Sequence, residues 1–361
     1  MGFYLGIILI PSLLMVLCSK FIFHRSITVK EWMAQIGVLL LSTGFMMALL
    51  GASAMQHTWD FNVLNGFVTE KVRDEVSCSH SYQCGETCTT QTTTDSKGKS
   101  STRRVCSPKY CHEHSYDVDW DVKTTLGSYT IDRIDRRGLD EPKRWSSVYI
   151  GESVSDTESV RNYLLIDETR FKTDPVIAEK YKDFMVDYPG IYDYWHINRV
   201  VNDTSVDYSW MNNLLNFKLG VDGFKKQLNI IVVVTKHDAD YYYALMEHWR
   251  GARKNDVILF FGIDDDKNVK WAKATAFADG QNNQVMLKQL QSMTYERKLD
   301  QDLIQEEYRM IVAQFNRVPN AEFAYMMAAW TAPTGWVVFL VILNMLITGG
   351  CSYYFIRNET F

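Results

Sequence analysis

Several carriers of chemistry are missing from this 361-residue chain. It has no Gly-rich phosphate loop, no His-Glu-x-x-His metalloprotease motif and no serine-based triad, so the common hydrolase readings have no foothold. A basic surplus is also absent. The 38 Lys and Arg against 43 Asp and Glu leave a net charge of −5, which argues against a nucleic-acid groove. No internal repeat is visible. The first apolar segment carries no side-chain cation at Met1-Gly2-Phe3 and no small-residue cleavage site before Lys20, so removal as a signal peptide is not expected.

What the chain does have is three uninterrupted apolar runs, at 2–19, 33–55 and 335–356. Each can cross a hydrocarbon core ~30 Å thick as a helix of roughly 20 residues. The mean hydropathy of the whole chain is only −0.18, so its apolar residues are concentrated in these runs. We assign transmembrane helices to 2–23, 33–55 and 335–356, with a connector at 24–32. The connector region carries Lys20, Arg25 and Lys30, whereas the far flank of the second run has no Lys or Arg until Lys71. The positive-inside rule places the connector in the cytoplasm and the central domain outside. That makes the expected location a cell (inner) membrane, multi-pass, with an extracytoplasmic or periplasmic domain. Trp330, Trp336, Tyr353 and Tyr354 suit interfacial aromatic belts. No Asp, Glu or Arg lies within the runs. Gln35, Ser42, Thr43 and Asn344 are therefore read as helix-packing groups rather than an ion pathway.

Five cysteines share the central compartment: Cys78, Cys84, Cys88, Cys106 and Cys111. In an oxidising compartment they would form two disulfides and leave one thiol. Cys84 or Cys88 with Cys106 or Cys111 would staple a hairpin. Zinc is the competing reading, with Cys84-x3-Cys88, Cys106-x4-Cys111, His112 and His114 as ligands. The polar stretch between Cys88 and Cys106 reads as an exposed hairpin tip or mobile loop, accessible to protease at 95–104.

Secondary structure in 56–206 reads as β-rich. Residues 57–77 have some helical spacing; 114–122, 126–134 and 145–151 read as strands, and 175–188 as a helix capped by Asp174. From about Asp207 the pattern becomes α/β. It runs through a helix at 209–226, buried strands at 228–235 and 256–263, a helix at 239–250 and a third strand at 269–277. Further helices follow at 283–293 and 301–315, and a linking helix at 317–334. A strand, helix and strand joined by short links implies two parallel neighbours. Ligands in such a unit bind beyond the carboxyl ends of the strands. There the two loops place Asp238, Asp240, Asp264, Asp265, Asp266 and His237 side by side, a set of oxygen donors suited to Ca or Mg. A metal held there could activate water against a phosphate ester. The plain alternatives are helix capping by Asp238 or Asp240 and a solvated turn at Asp264–Asp266. Asn202-Asp203-Thr204 is a glycosylation sequon. The 20 Tyr and 10 Trp are read as core and interface rather than a sugar site.

The stretch NIIVVVTKHDADYYYALMEHWRGARKNDVILFFGIDDDKNVKWAKA resembles the core of the TPM-domain family, over about residues 207–316. That family includes a thylakoid protein of photosystem repair, nematode modulators of acetylcholine receptors and many bacterial membrane-anchored proteins. The shared features are a hydrophobic strand, a helix ending in Trp249-Arg250-Gly251, a second hydrophobic strand, an acidic turn, and a third strand carrying Lys270 and Trp271. The resemblance implies an envelope or lumenal domain on a membrane anchor. It also implies divalent metal at Asp238, Asp240, Asp264, Asp265 and Asp266, with phosphatase activity in some members. The family's glycine-aromatic-glycine element after the third strand is replaced here by Thr275-Ala276-Phe277-Ala278-Asp279-Gly280.

The expectation is therefore an integral membrane protein with three transmembrane helices and an extracytoplasmic α+β domain containing a TPM-like βαβ unit. Its expected role is an interaction or assembly module contacting the lipid bilayer and other envelope proteins or itself, with no nucleic acid. A metal-dependent phosphatase is the alternative.

Overall fold

A computed structural model of the protein describes residues 2–94, 100–276 and 281–358. Asp95–Lys99 of the expected hairpin tip and Phe277–Gly280 of the variant family element lie outside the described residues.

Helices α1 (Gly2–Ile22) and α2 (Val29–Gln56) open the chain. Both are long and apolar enough to span a membrane. Thr28 starts α2 with a reciprocal capping box, accepting from the Glu31 amide while Glu31 accepts from the Thr28 amide. The next element, read from sequence as helical, is instead the long strand β1 (Trp59–Val76). A ribbon follows, β2 (Ser81–Thr94) with β3 (Ser100–His112), then β4 (Asp117–Thr124) and β5 (Ser128–Ile131). The expected strand at 145–151 is in fact the short helix α3 (Lys143–Ser147), entered through Pro142, whose fixed φ suits a helix start. It is followed by an unanticipated strand, β6 (Ser153–Arg161).

An antiparallel sheet of order β5-β4-β1-β6 results. The first half of β1 pairs with β6 and its second half with β4. Val68, Val118, Trp120, Val122, Val154 and Trp195 are among the residues forming its core.

Helix α4 (Pro175–Tyr181) is shorter than expected; a 3-10 turn at Lys182–Phe184 ends it. The chain then forms the small hairpin of β7 (Ile191–Tyr192) and β8 (His196–Ile197), and reaches β9 (Val200–Asn202). From there it builds α5 (Ser209–Lys226), β10 (Asn229–Thr235), α6 (Tyr241–His248), β11 (Asp256–Ile263) and β12 (Val269–Ala276). The second sheet has the order β12-β11-β10-β9. Strands β9, β10 and β11 are parallel, and β12 returns antiparallel through the Asp264–Asn268 turn. Side chains in β10 and β11 alternate between two cores. Ile230, Val232, Val234, Leu259 and Phe261 face α5, together with α7 (Gln281–Met293) and α8 (Gln301–Gln314). Ile231, Val233, Ile258 and Phe260 face α4 and α6. Burial on both faces explains why these strands read as continuous apolar runs. Both α4 and β9, which precede residue 207, are built into this layer.

Helix α5 also lies against the first sheet. A Cβ at Gly220 would come within 2.8 Å of the Gly66 carbonyl, so the helix approaches β1 backbone to backbone. Beside this contact, buried Arg199 bridges the layers. Its Nε donates to Asn216 at 2.7 Å, and its guanidinium also bonds Asn65, Asn229 and the Ser155 hydroxyl. Burial lowers the Arg199 pKa to about 10, yet leaves it cationic at neutral pH.

After α8, the expected linking helix at 317–334 is instead a 3-10 helix over Asn320–Ala329 alone, bounded by Pro319 and by the extended segment before Pro333, and it leads to the third membrane-length helix, α9 (Thr334–Arg357). Asn344 ties all three long helices together. Its Oδ1 accepts from Ser42 at 2.6 Å, and its Nδ2 donates to the Ile8 carbonyl at 3.1 Å and to Thr43 at 3.2 Å. Gln35 accepts from Ser19 and Ser352. The polar marks read from the sequence thus meet inside the bundle, as interhelical hydrogen bonds require.

Candidate functional site

The loops after β10 and β11 do lie side by side: Lys236 Nζ reaches across to Asp265 Oδ1 at 2.5 Å. Three of their five carboxylates, those of Asp238, Asp264 and Asp265, are engaged. Asp238 takes Lys180 at 2.6 Å and also the Tyr181 hydroxyl. These bonds, Lys180's first, pull the Asp238 pKa down to about 2. Asp264 accepts from the amides of Asn268 at 2.8 Å and Asp266 at 3.0 Å, which closes its own turn and lowers its pKa. Lys236 lowers that of Asp265. Asp240 occupies the N-cap position of α6 without a capping side-chain bond, and Asp266 is exposed. The His237 ring packs on Phe184, Tyr241 and Tyr181, with Nε2 3.5 Å from Asp203. Among the described residues, two groups of three or more His, Cys, Asp or Glu bring their ligand atoms within 4.8 Å of one another, and neither includes an acidic-loop residue.

A cleft of about 700 Å³ flanks the junction of the two sheets and is lined by Arg144, Glu152, Asp193, His196 and Phe217. Its charges satisfy one another. Arg144 pairs with Glu152 at 3.2 Å and Asp193 at 2.8 Å, and His196 with Glu152 at 2.9 Å. Burial raises the Glu152 pKa, but His196, Trp195 and Arg144 outweigh it and bring the value to about 2.

No family model, curated protein or solved structure matches the chain.

The cysteine region has the most distinctive geometry. Strands β2 and β3 pair with each other over 13 positions and form a sheet of their own. Cys84 is bonded to Cys111, and Cys88 to Cys106, within the pairings read from the sequence. Of the described side chains from Ser81 to His112, none is buried. Such a ribbon extends roughly 40 Å at ~3.3 Å per residue. A lone two-stranded hairpin is marginal in water; the bridges close loops of 27 and 18 residues, each worth about 3 kcal/mol in the chain-entropy account. The sulfurs of Cys84, Cys88, Cys106 and Cys111, the cysteines of the competing zinc reading, are all in disulfides in this structure. Cys78 remains free and buried. It lies beside His80, His114 and Asp117, a grouping missed in the sequence because the whole ribbon separates its two halves. The only sequence signal was the pair of short spacings, Cys78-x-His80 and His114-x2-Asp117.

Proposed function

We propose that this protein is a membrane-anchored interaction module whose central domain lies outside the cytoplasm and whose disulfide-stapled arm, β2–β3, contacts a partner protein. The observation that carries this reading is the arm itself, a long ribbon with no buried described side chain. A structure that is costly to order and contributes no core is explained by a surface it binds elsewhere. The sequence of the arm is locally basic, with Lys97, Lys99, Arg103, Arg104 and Lys109 against Glu86 and Asp95, in a chain of net charge −5. Charge complementarity favours an acidic partner surface. The two disulfides support an oxidising compartment, in agreement with the cations on the first connector. The order of strand, helix, strand, acidic turn and strand over 229–276 supports a TPM-like character for the second half.

The test places a photo-crosslinking residue at Tyr82 or Tyr110 of the arm, which are 51% and 63% exposed, in native membranes. Tyr295, 69% exposed and away from the arm, serves as control. A defined protein adduct from the arm positions, lost on Arg103→Glu with Arg104→Glu, is the expected result. Adducts from Tyr295 alone would refute the reading.

A further inference from the structure

At the root of the arm, the two segments that feed β2 and β3 bring together a second constellation. Cys78 and His80 lie between β1 and β2, His114 lies between β3 and β4, and Asp117 begins β4. A cysteine sulfur, one nitrogen of each imidazole and a carboxylate oxygen lie within 4.8 Å of one another. We propose that Cys78, His80, His114 and Asp117 bind a single zinc ion, independently of any partner of the arm.

Three features favour this assignment. The first is donor type. One thiolate, two imidazoles and one carboxylate suit tetrahedral zinc, whereas Ca and Mg prefer all-oxygen shells. Zinc bonds of ~2.0–2.3 Å place tetrahedral donors roughly 3.3–3.8 Å apart, so a pair at the 4.8 Å limit closes by about 1–1.5 Å, while His114 Nε2 and Asp117 Oδ1, now in direct hydrogen-bond contact, move apart to admit the ion.

The second is orientation by surrounding groups. Asp117 Oδ2 accepts from the Ser79 amide at 2.9 Å, the Ser79 hydroxyl at 3.0 Å and Arg133 at 2.9 Å. Arg133 is in turn held by Asp119 at 2.7 and 3.0 Å. This leaves Oδ1, which meets His114 Nε2, to face the cluster, as an oriented monodentate ligand should. The His80 amide donates to Cys78 Sγ at 3.3 Å and the Cys78 thiol donates to the His80 carbonyl at 3.2 Å, which fixes the sulfur beside the two imidazoles.

The third is unspent bonding capacity. His80 Nδ1 is buried and makes no hydrogen bond, standing 3.5 Å from Asp117 Oδ2. Buried imidazole nitrogens are ordinarily satisfied. Cys78 is only 3% exposed and is the one cysteine of the central five left without a sulfur partner.

Four protein ligands leave no open coordination position, so the ion is structural rather than catalytic. Binding releases the thiol proton of Cys78. It pins both legs of the arm to β4 and so sets the arm's direction.

The experiment uses the full chain purified in detergent without chelator. Elemental analysis should give about one zinc per chain in the wild type and in His112→Ala, which alters an exposed neighbour outside the set. Cys78→Ser, and His80→Ala with His114→Ala, should each lose tenfold or more in retained metal, in line with loss of ligands. Exchange with cobalt should give the wild type a thiolate-to-cobalt charge-transfer band, which needs no variant to fold. Chelation should expose Cys78 to maleimide while both disulfides stay intact. A wild type that holds no zinc and takes up no cobalt would overturn the assignment, as would zinc retained equally in Cys78→Ser and the double-histidine variant.

Discussion

Truncating Asn65 to Ala tests whether Arg199 joins the two sheets. Asn65 is 2% exposed. Its Oδ1 accepts from the Arg199 guanidinium, and its Nδ2 donates to the Leu228 carbonyl at 2.8 Å. A hydrogen bond to a buried cation contributes ~1.5–3 kcal/mol and a neutral one ~0.5–1.5. The loss should therefore total about 3 kcal/mol. For a folded region of this size that corresponds to a fall in melting temperature of roughly 6–12 °C. Thermal unfolding in detergent, followed by tryptophan fluorescence, measures it. The decisive comparison is the same substitution in an Arg199→Met background. With no guanidinium left to strand, Asn65→Ala should cost only its neutral bonds, to the Leu228 carbonyl and the Ser155 hydroxyl, about 1–2 kcal/mol, giving a coupling of about 1–2 kcal/mol between the two sites. Additivity within about 0.5 kcal/mol would refute the bridge.

Two further outcomes follow from buried polar groups. Burial raises the Asp256 pKa from 3.8 to about 6 in the folded protein. A carboxyl raised in this way stabilises the fold below pH 3.8, and that contribution is lost as pH rises through 6. The span is worth about 3 kcal/mol at ~1.4 kcal/mol per pH unit. Asp256→Asn should flatten the stability profile between pH 4 and pH 7; parallel wild-type and variant profiles would contradict it. In the helix bundle, Asn344→Leu removes the side-chain bonds to Ser42, Thr43 and Ile8. It should lower the SDS-unfolding midpoint by the equivalent of about 1–2 kcal/mol, and an unchanged midpoint would show that the bundle does not depend on that residue.

Legibility in the sequence tracked the kind of burial each element experiences. The helices and strands from Ser209 onward were read closely because β10 and β11 are apolar on both faces and α5 and α8 have one apolar face. The strand β1 was misread as helical because its inward positions are polar. Asp60, Asn62 and Asn65 are buried at the junction between layers while Trp59 and Phe61 stay exposed, which inverts the usual alternation. Strand β6 was missed for a related reason: Ser155 faces inward to meet Arg199 and Asn65. A polar residue facing another polar residue carries no hydrophobic period, so only the tertiary pairing reveals the strand. The cysteine pairs were legible as a hairpin staple. The Cys78 cluster was not, because only the register of β2 on β3 brings its two halves together.

The acidic loops and the arm root separate on one physical criterion, whether the donors are already spent. At the loops, Asp238 is neutralised by Lys180, Asp265 by Lys236, and Asp264 is consumed by its own turn. A divalent ion there would have to displace two ion pairs and open a backbone turn before gaining its first bonds. At the root, Ser79 and Arg133 hold Asp117 Oδ2 while Oδ1 meets His114, another donor of the set; His80 keeps an unsatisfied Nδ1, and the buried Cys78 thiol bonds only the His80 backbone. Much of the cost of assembling ligands has there already been met by folding. Density of carboxylates is the stronger signal in the sequence, but carboxylates attract cations of every kind, including the protein's own lysines. A mixed set of sulfur, nitrogen and oxygen donors, held in place and only partly satisfied, is the arrangement that selects a metal.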